Sequence, residues 1–463
     1  MRRTVRFLLL VAAWGLTPVQ AQLTDVANNP LTYSMSSQVK PNIMFIVDDS
    51  GSMASRFMPE HVDGANIDKT RCSNSNSSCS TTTNGIEGNP PWYATQVNSL
   101  YYNPLVTYFP AVSSTGTAMT SYGSPWTAVK TNAFVGTTTI NLVSGYPEIV
   151  YCKDPDDSAT SSDCKRNGID TGNPFIYNST STNGYPNGTS PGNYRYPVTR
   201  SGNPYYFNIL PREHCSDALL TTCTLSNTPT GAYVYPAPVR FCQNATDAGS
   251  NTAVTGSTSS KPRCQGVWTT NHQRPRYGRF QRVDIVPSVT TYGGRVGRSD
   301  CASAPNCTYA EEMTNFANWY AYYSTRMQLM KTGVGMAFQE IDGRYRVGLI
   351  TINPGSPVSS GKYIKVDTFA STHRTNWYTK LYSLNPSGGT PLREALSRVG
   401  RYYAGVKTGI NNGIADDPIQ YSCQPNVSIL STDGYWNGNG GAKSDGTAIG
   451  NHDSADSGYS TRA

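Results

Sequence analysis

Charge is scarce in this sequence: Asp, Glu, Lys and Arg make up 14% of the 463 residues, and the net charge of +7 is spread thinly. No block of Lys and Arg follows the N-terminus, so a nucleic-acid footprint lacks its electrostatic base. Long apolar runs are missing as well. Beyond the first residues no stretch approaches the roughly 20 apolar residues that a spanning helix needs. None of the eleven cysteines has CxxC spacing, which disfavours zinc. HExxH and GxSxG are absent and the five histidines are scattered, so hydrolase chemistry has no motif to rest on. GSPVSSGKY (355–363) is only a loose phosphate loop, with an extra residue between its glycines and Tyr363 where Ser or Thr should bind metal; a glycine-rich turn is the better account. The acidic run Asp154–Asp157 lacks the spacing of a calcium loop and its distal Glu, and reads as a solvated turn.

What is present points to export. Arg2, Arg3 and Arg6 precede the short apolar run FLLLVAAWGL, and Val19-Gln20-Ala21 offers a small-residue cleavage site, so residues 1–21 read as a signal peptide. Ten of the cysteines lie between residues 72 and 307. In an oxidising compartment, sequence neighbours suit local loops: Cys72–Cys79, Cys152–Cys164, Cys215–Cys223, Cys242–Cys264 and Cys301–Cys307. Spacing alone does not determine connectivity, and Cys423 is left over.

The chain is long enough for two or three domains at roughly 100–200 residues each. Residues 22–53 hold an N-terminal segment, the apolar strand NIMFIV and the turn DDSGSM. Residues 54–307 are rich in Gly, Ser, Thr, Asn, Tyr and Pro, with short extended pieces such as YYFNILP, AYVYPAPVRFC and FQRVDIVP. They read as an irregular, mostly β insertion stapled by disulfides, because low apolar content alone would hold it poorly. Residues 308–440 return to alternating helix and strand. Thr308 and Glu311 open a capping box before one long predicted helix to residue 341, striped by Met313, Phe316, Tyr320, Tyr323, Met327, Met330 and Val334. Strands follow at YRVGLITI and, as an edge, YIKVDTF; helices at WYTKLYSL and PLREALSRVGRYYAG; and a buried strand at NVSILSTDG. Strands alternating with helices imply an α/β domain with a mostly parallel, Rossmann-like sheet. Residues 441–463 are a polar tail. Surface tyrosines would supply adhesive contact area, while those on the helical stripe suit a core.

A parallel sheet gathers ligands at the carboxyl ends of its strands. Asp48, Ser50 and Ser52 follow the first strand at i, i+2 and i+4, a spacing that presents one carboxylate and two hydroxyls to one point. Thr390 lies on a glycine-rich loop before a helix opened by Pro391, and Asp433 lies past another strand. Separately, Thr390 suits a helix cap and Asp433 a turn; together, in this order, they compose an oxygen-lined site for a hard dication.

DDSGSM, GGTPLREAL and ILSTDG resemble the metal-ion-dependent adhesion site of a von Willebrand factor type A domain. The resemblance implies that Ser50, Ser52 and Thr390 supply hydroxyls, while Asp48 and Asp433 act directly or through water. The ion would be Mg²⁺, with Ca²⁺ or Mn²⁺ as alternatives, and a partner's acidic oxygen would fill an open position. SLYYNPLVTY, REHCSDALLTTC, YPAPVRFC, FQRVDIVP and CTYAEEMTNFANWYAYYSTRM widen the likeness. They resemble the N-terminal half of PilY-type type IV pilus biogenesis factors, tip-associated adhesins of bacterial pili. That family implies a non-enzymatic role in pilus assembly, surface attachment and twitching motility. Minor pilins, the assembly machinery and an acidic surface ligand would be the partners, met in the periplasm, at the outer membrane and at the pilus tip. The family's type A domain continues beyond the strand ending near Asp433 and is followed by a β-propeller, so the resemblance implies a type A domain incomplete at its C-terminus and a chain that is a fragment. A structural subunit, stiffened by metal without binding through it, is the alternative.

Overall fold

The computed structural model describes residues 39–59, 90–152, 160–166, 174–176, 196–434, 436–438 and 440–449. The signal peptide, Cys72–Cys79 and Asp154–Asp157 lie outside them.

Strand β1 (Asn42–Val47) is buried at all six positions. An uninterrupted apolar run of this kind suits a central parallel strand covered on both faces. Alternate residues divide between two cores, as the period of two demands. Ile43, Phe45 and Val47 pack with Phe338, Trp377 and Leu381; Met44 and Ile46 pack with Leu392, Ala395, Val399 and Tyr402.

The helices α1 (Tyr309–Tyr322) and α2 (Arg326–Ala337) come next in the sheet-forming part of the chain. They are followed by β2 (Arg346–Thr351), β3 (Tyr363–Thr368), α3 (Ser371–Ser383), α4 (Leu392–Tyr403) and β4 (Asn426–Ser431). The sheet order is β3-β2-β1-β4. β1 runs parallel to β2 and β4, with Val47 level with Thr351 and Ser431. β3 is the antiparallel edge, with an irregularity between Val347 and Leu349. A Cβ on Gly348, between those two, would sit 3.0 Å from both the Ile364 carbonyl and Met44 Cε, so glycine permits the close approach there. α2 and α3 cover one face and α4 the other.

Two expectations are corrected. The single long helix is two helices. The capping box at Thr308 and Glu311 forms, but the helix ends at Tyr322. Ser324 Oγ donates to the Tyr320 carbonyl at 2.8 Å, while Thr325, extended at φ −126°, caps the Gln328 N–H to start α2. Adjacent Ser and Thr hydroxyls thus compete with the helical ladder and win. β4, expected as a buried strand, is instead exposed over its first four residues, with Val427 36% and Ile429 40% accessible. Among the described residues it pairs with β1 alone, so its apolar alternation marked a strand without marking a covered one.

The intervening residues form short antiparallel pieces, as expected, joined by the four described disulfides Cys152–Cys164, Cys215–Cys223, Cys242–Cys264 and Cys301–Cys307. Cys423 is free and exposed. The disulfides do not hold the region alone. Tyr93 stacks on Tyr101 at 4.2 Å, and Tyr101 meets Trp319 edge-on at 4.9 Å, within a large aromatic core that includes Tyr102, Tyr205, Phe207 and Phe280. α1 lies inside it: Met313, Phe316, Trp319 and Tyr322 belong to that core, whereas Met330 and Val334 of α2 pack towards the sheet. The stripe read as one face therefore serves two cores. Buried carboxylates add polar tie-points: Glu213 pairs with Arg240 and Arg276 at 3.1 and 2.9 Å, and Glu312 with Arg295 and Arg298 at 3.1 Å each.

Candidate metal centre

Parallel pairing brings the segments after β1, β2 and β4 to one edge of the sheet. The Asp48 N–H donates to the Ser431 carbonyl at 3.1 Å, which continues the ladder one residue past the strand. The Asp48 carboxylate is fully buried. Its Oδ1 accepts from the Ser50 N–H at 2.8 Å and its Oδ2 from Thr432 Oγ1 at 2.8 Å. Gly51–Ala54 forms one tight 3-10 turn, which turns Ser50 and Ser52 to the same side: their Oγ atoms lie 2.9 Å apart. Ser52 Oγ then donates to Asp433 Oδ1 at 3.2 Å. Residues 381 positions apart in the chain are thus in direct contact.

The Thr390 loop docks by backbone bonds. The Gly51 N–H donates to the Gly388 carbonyl at 3.0 Å. Asn437 clamps Thr390 from both sides, accepting from its N–H at 2.8 Å through Oδ1 and donating its own N–H to the Thr390 carbonyl at 3.0 Å. A Cβ on Gly389 would lie 2.7 Å from that same Oδ1, so glycine is needed beside the clamp. Ser50, Ser52 and Asp433 are linked through side chains, Asp48 joins them through the Ser50 backbone N–H, and Thr390 stands in the adjoining loop, 6% exposed.

Asp49, outside the expected ligand set, does other work. Its Oδ1 accepts from the Asn353 N–H at 3.0 Å, its Oδ2 from Lys362 Nζ at 2.6 Å, and its carbonyl from the Ser387 N–H at 2.6 Å. It clips three loops at the sheet's edge.

Sequence reasoning missed four contributors. Lys362 stood in the phosphate-loop look-alike, and Asn353 and Asn437 stood in turns with no local signal. Arg326 was passed over because the helix was read through its apolar stripe. Its Nη1 donates to Asp433 Oδ2 at 2.6 Å, with side-chain exposures of 2% and 6%.

The 2.9 and 3.2 Å oxygen separations are those of hydrogen bonds, and they also lie near the edge of about 3.0 Å in an octahedral Mg²⁺ shell with oxygens at about 2.1 Å, so these groups could hold a hard dication. No group of three or more His, Cys, Asp or Glu side chains gathers among the described residues, so such an ion would depend on the hydroxyls. The three described histidines are occupied elsewhere: ring nitrogens of His214, His272 and His373 lie 2.7–2.8 Å from the carbonyls of Ser226, Pro262 and Val347.

No protein-family model matches the chain, and no solved structure matches it. Among curated proteins it is similar to the type IV pilus biogenesis factor PilY1 of Pseudomonas aeruginosa strain PAO1, 30% identical over 299 residues, 60% of this chain and 23% of that protein. The factor of the same name in strain PAK is 34% identical over 177 residues, 35% of this chain and 14% of that protein. In strain UCBPP-PA14 it is 31% identical over 186 residues, 36% and 16% respectively. The chain spans less than a quarter of the length of these curated relatives.

Proposed function

Because the chain is of the PilY type over the part it shares with those pilus factors, we propose that it serves type IV pilus biogenesis as an exported assembly and tip-adhesion factor. Surface attachment and twitching motility are the expected outcomes. The four-stranded sheet with helices on both faces supports a Rossmann-like von Willebrand factor type A domain, with the aromatic, disulfide-linked region as its insertion. Four disulfides suit an oxidising compartment such as the periplasm or cell surface. No helix among the described residues is long and apolar enough to cross a membrane.

One observation carries the proposal: the contiguous chain of Ser50, Ser52 and Asp433 oxygens beside Asp48, at the carboxyl ends of parallel strands. With Thr390 these residues would hold Mg²⁺, or Ca²⁺ or Mn²⁺. A bound cation would offer an open position to an acidic oxygen of a surface ligand, which makes the site one for binding rather than catalysis. Minor pilins and the pilus assembly machinery are the other partners proposed.

Calorimetric titration of Mg²⁺, Mn²⁺ and Ca²⁺ into the full chain and into Asp48→Ala tests the site, alongside retention of both proteins on a carboxylate-coated surface. Wild type should bind one equivalent, and the variant should lose both binding and metal-dependent retention. Equal titration of the two proteins would sink the proposal. A second reading, a structural subunit in which metal only stiffens the domain, is favoured by the clip at Asp49 and the pairing of Asp433 with Arg326. It prevails if Asp48→Ala lowers the melting temperature but leaves retention unchanged.

A further inference from the structure

On the premise of the metal site above, we propose that Arg326 is a positioning residue that competes, as a tethered internal cation, with the divalent ion for Asp433. Asp433 divides its oxygens: Oδ1 faces Ser52 Oγ at 3.2 Å, while Oδ2 is held by Arg326 Nη1 at 2.6 Å. An ion drawing on Asp433 would therefore stand within a few ångströms of a guanidinium. Both cationic groups need the same carboxylate, and burial of that ion pair at 2% and 6% exposure limits screening by salt. With Arg326 counted, the two carboxylates and one guanidinium leave the site one net negative charge rather than two. The arginine lowers the affinity for metal and leaves a bound ion more electrophilic towards an acidic ligand.

The tether gives the competition a reach. The Arg326 N–H donates to the Ser55 carbonyl at 3.1 Å and its Nε to the Phe57 carbonyl at 2.9 Å. Its guanidinium carbon lies 5.1 Å from the centre of the Phe57 ring, and that ring meets Trp92 edge-on at 5.6 Å in the aromatic core. Arg326 thus joins Asp433, the first turn of α2 and the segment by which the chain leaves the metal loop. Coupling between two equilibria is reciprocal: the Arg326–Asp433 pair weakens metal binding by as much as metal weakens the pair, and the Ser55 and Phe57 bonds of the same arginine place the readout of that loosening at residues 55–57.

The test is titration of Mg²⁺ and Mn²⁺ into the full chain and Arg326→Gln, with hydrogen exchange followed in wild type with and without metal. R326Q should bind metal about tenfold or more tightly, within the usual span of coupling. In wild type, added metal should speed exchange at the Arg326 amide, a readout that does not depend on how well the variant folds. If wild type binds metal and R326Q binds no more tightly, with exchange at Arg326 unchanged, the competition is overturned while the metal site stands. Silence in both proteins overturns the metal site and the competition together.

Discussion

Asp48 and Asp49 are adjacent and equally buried, yet their environments assign them opposite duties. Asp48 faces the hydroxyls and the strand ends; Asp49 faces a lysine and two backbone amides from other loops. Replacing Asp49 with Ala should therefore act on stability, because it removes the carboxylate that Lys362 and the Asn353 N–H share, while the Ser387 N–H keeps its bond to the residue's carbonyl. A loss of about 2–4 kcal/mol is expected, measured by denaturant unfolding, with metal affinity changed far less than in Asp48→Ala. The candidate site was legible at this scale because its residues carry a spacing: Asp48, Ser50 and Ser52 announce a turn that aims alternate residues to one side, as the Ser50–Ser52 contact shows. Arg326 and Lys362 carry none. Their partners lie 107 and 313 residues away, and a single cation in a helix or loop says nothing of which carboxylate it will meet.

At the scale of elements, the break between α1 and α2 sets up a buried amine. Lys331 of α2 is fully buried and donates to the Tyr382 and Leu384 carbonyls at 2.8 and 2.5 Å, at the end of α3. Burial pushes its amine down to about 7. In the unfolded chain a lysine titrates near about 10.4, so between these values the unfolded state binds the extra proton. Stability should then rise with pH from about 7 to about 10, by up to about 1.4 kcal/mol per unit from this group, and be indifferent to it below about 7. Denaturant midpoints across that range check the slope, which Lys331→Met should flatten. The strands were legible as apolar runs, and two helix starts, those of α1 and α4, from the Thr308 capping box and Pro391; α3, read from Trp377, begins at Ser371 without a side-chain cap. The interruption at Ser324–Thr325 was not, because Met313 to Val334 keeps its three- and four-residue steps straight through the break. Only the tertiary arrangement shows that one half of that stripe meets tyrosines and the other half the sheet. The openness of β4 was hidden for a similar reason: alternation reports a strand, while coverage depends on what the rest of the molecule places over it.

For the molecule as a whole, the region between β1 and α1 is better supported than its composition suggested. Its buried core is largely aromatic, with tyrosines prominent, which a count of aliphatics undervalues, because each ring buries a large area. Loss of the Cys242–Cys264 bridge by paired Ala substitution should cost about 2–4 kcal/mol in calorimetric unfolding. Because that bridge packs in a small core of its own with Val254, metal affinity should stay within about twofold of wild type. The central position of β1 has a further consequence, one of time. Its neighbours in the sheet lie 304 and 384 residues further along the chain. At about 5–20 residues per second of synthesis, NIMFIV waits on the order of fifteen seconds to a minute before β2 exists to receive it. Six consecutive residues destined for full burial, without a charge or a proline among them, are the kind of segment that pairs with the wrong neighbour while it waits. The yield of folded protein should therefore respond to growth temperature and to holding chaperones more than to any single contact in the finished structure.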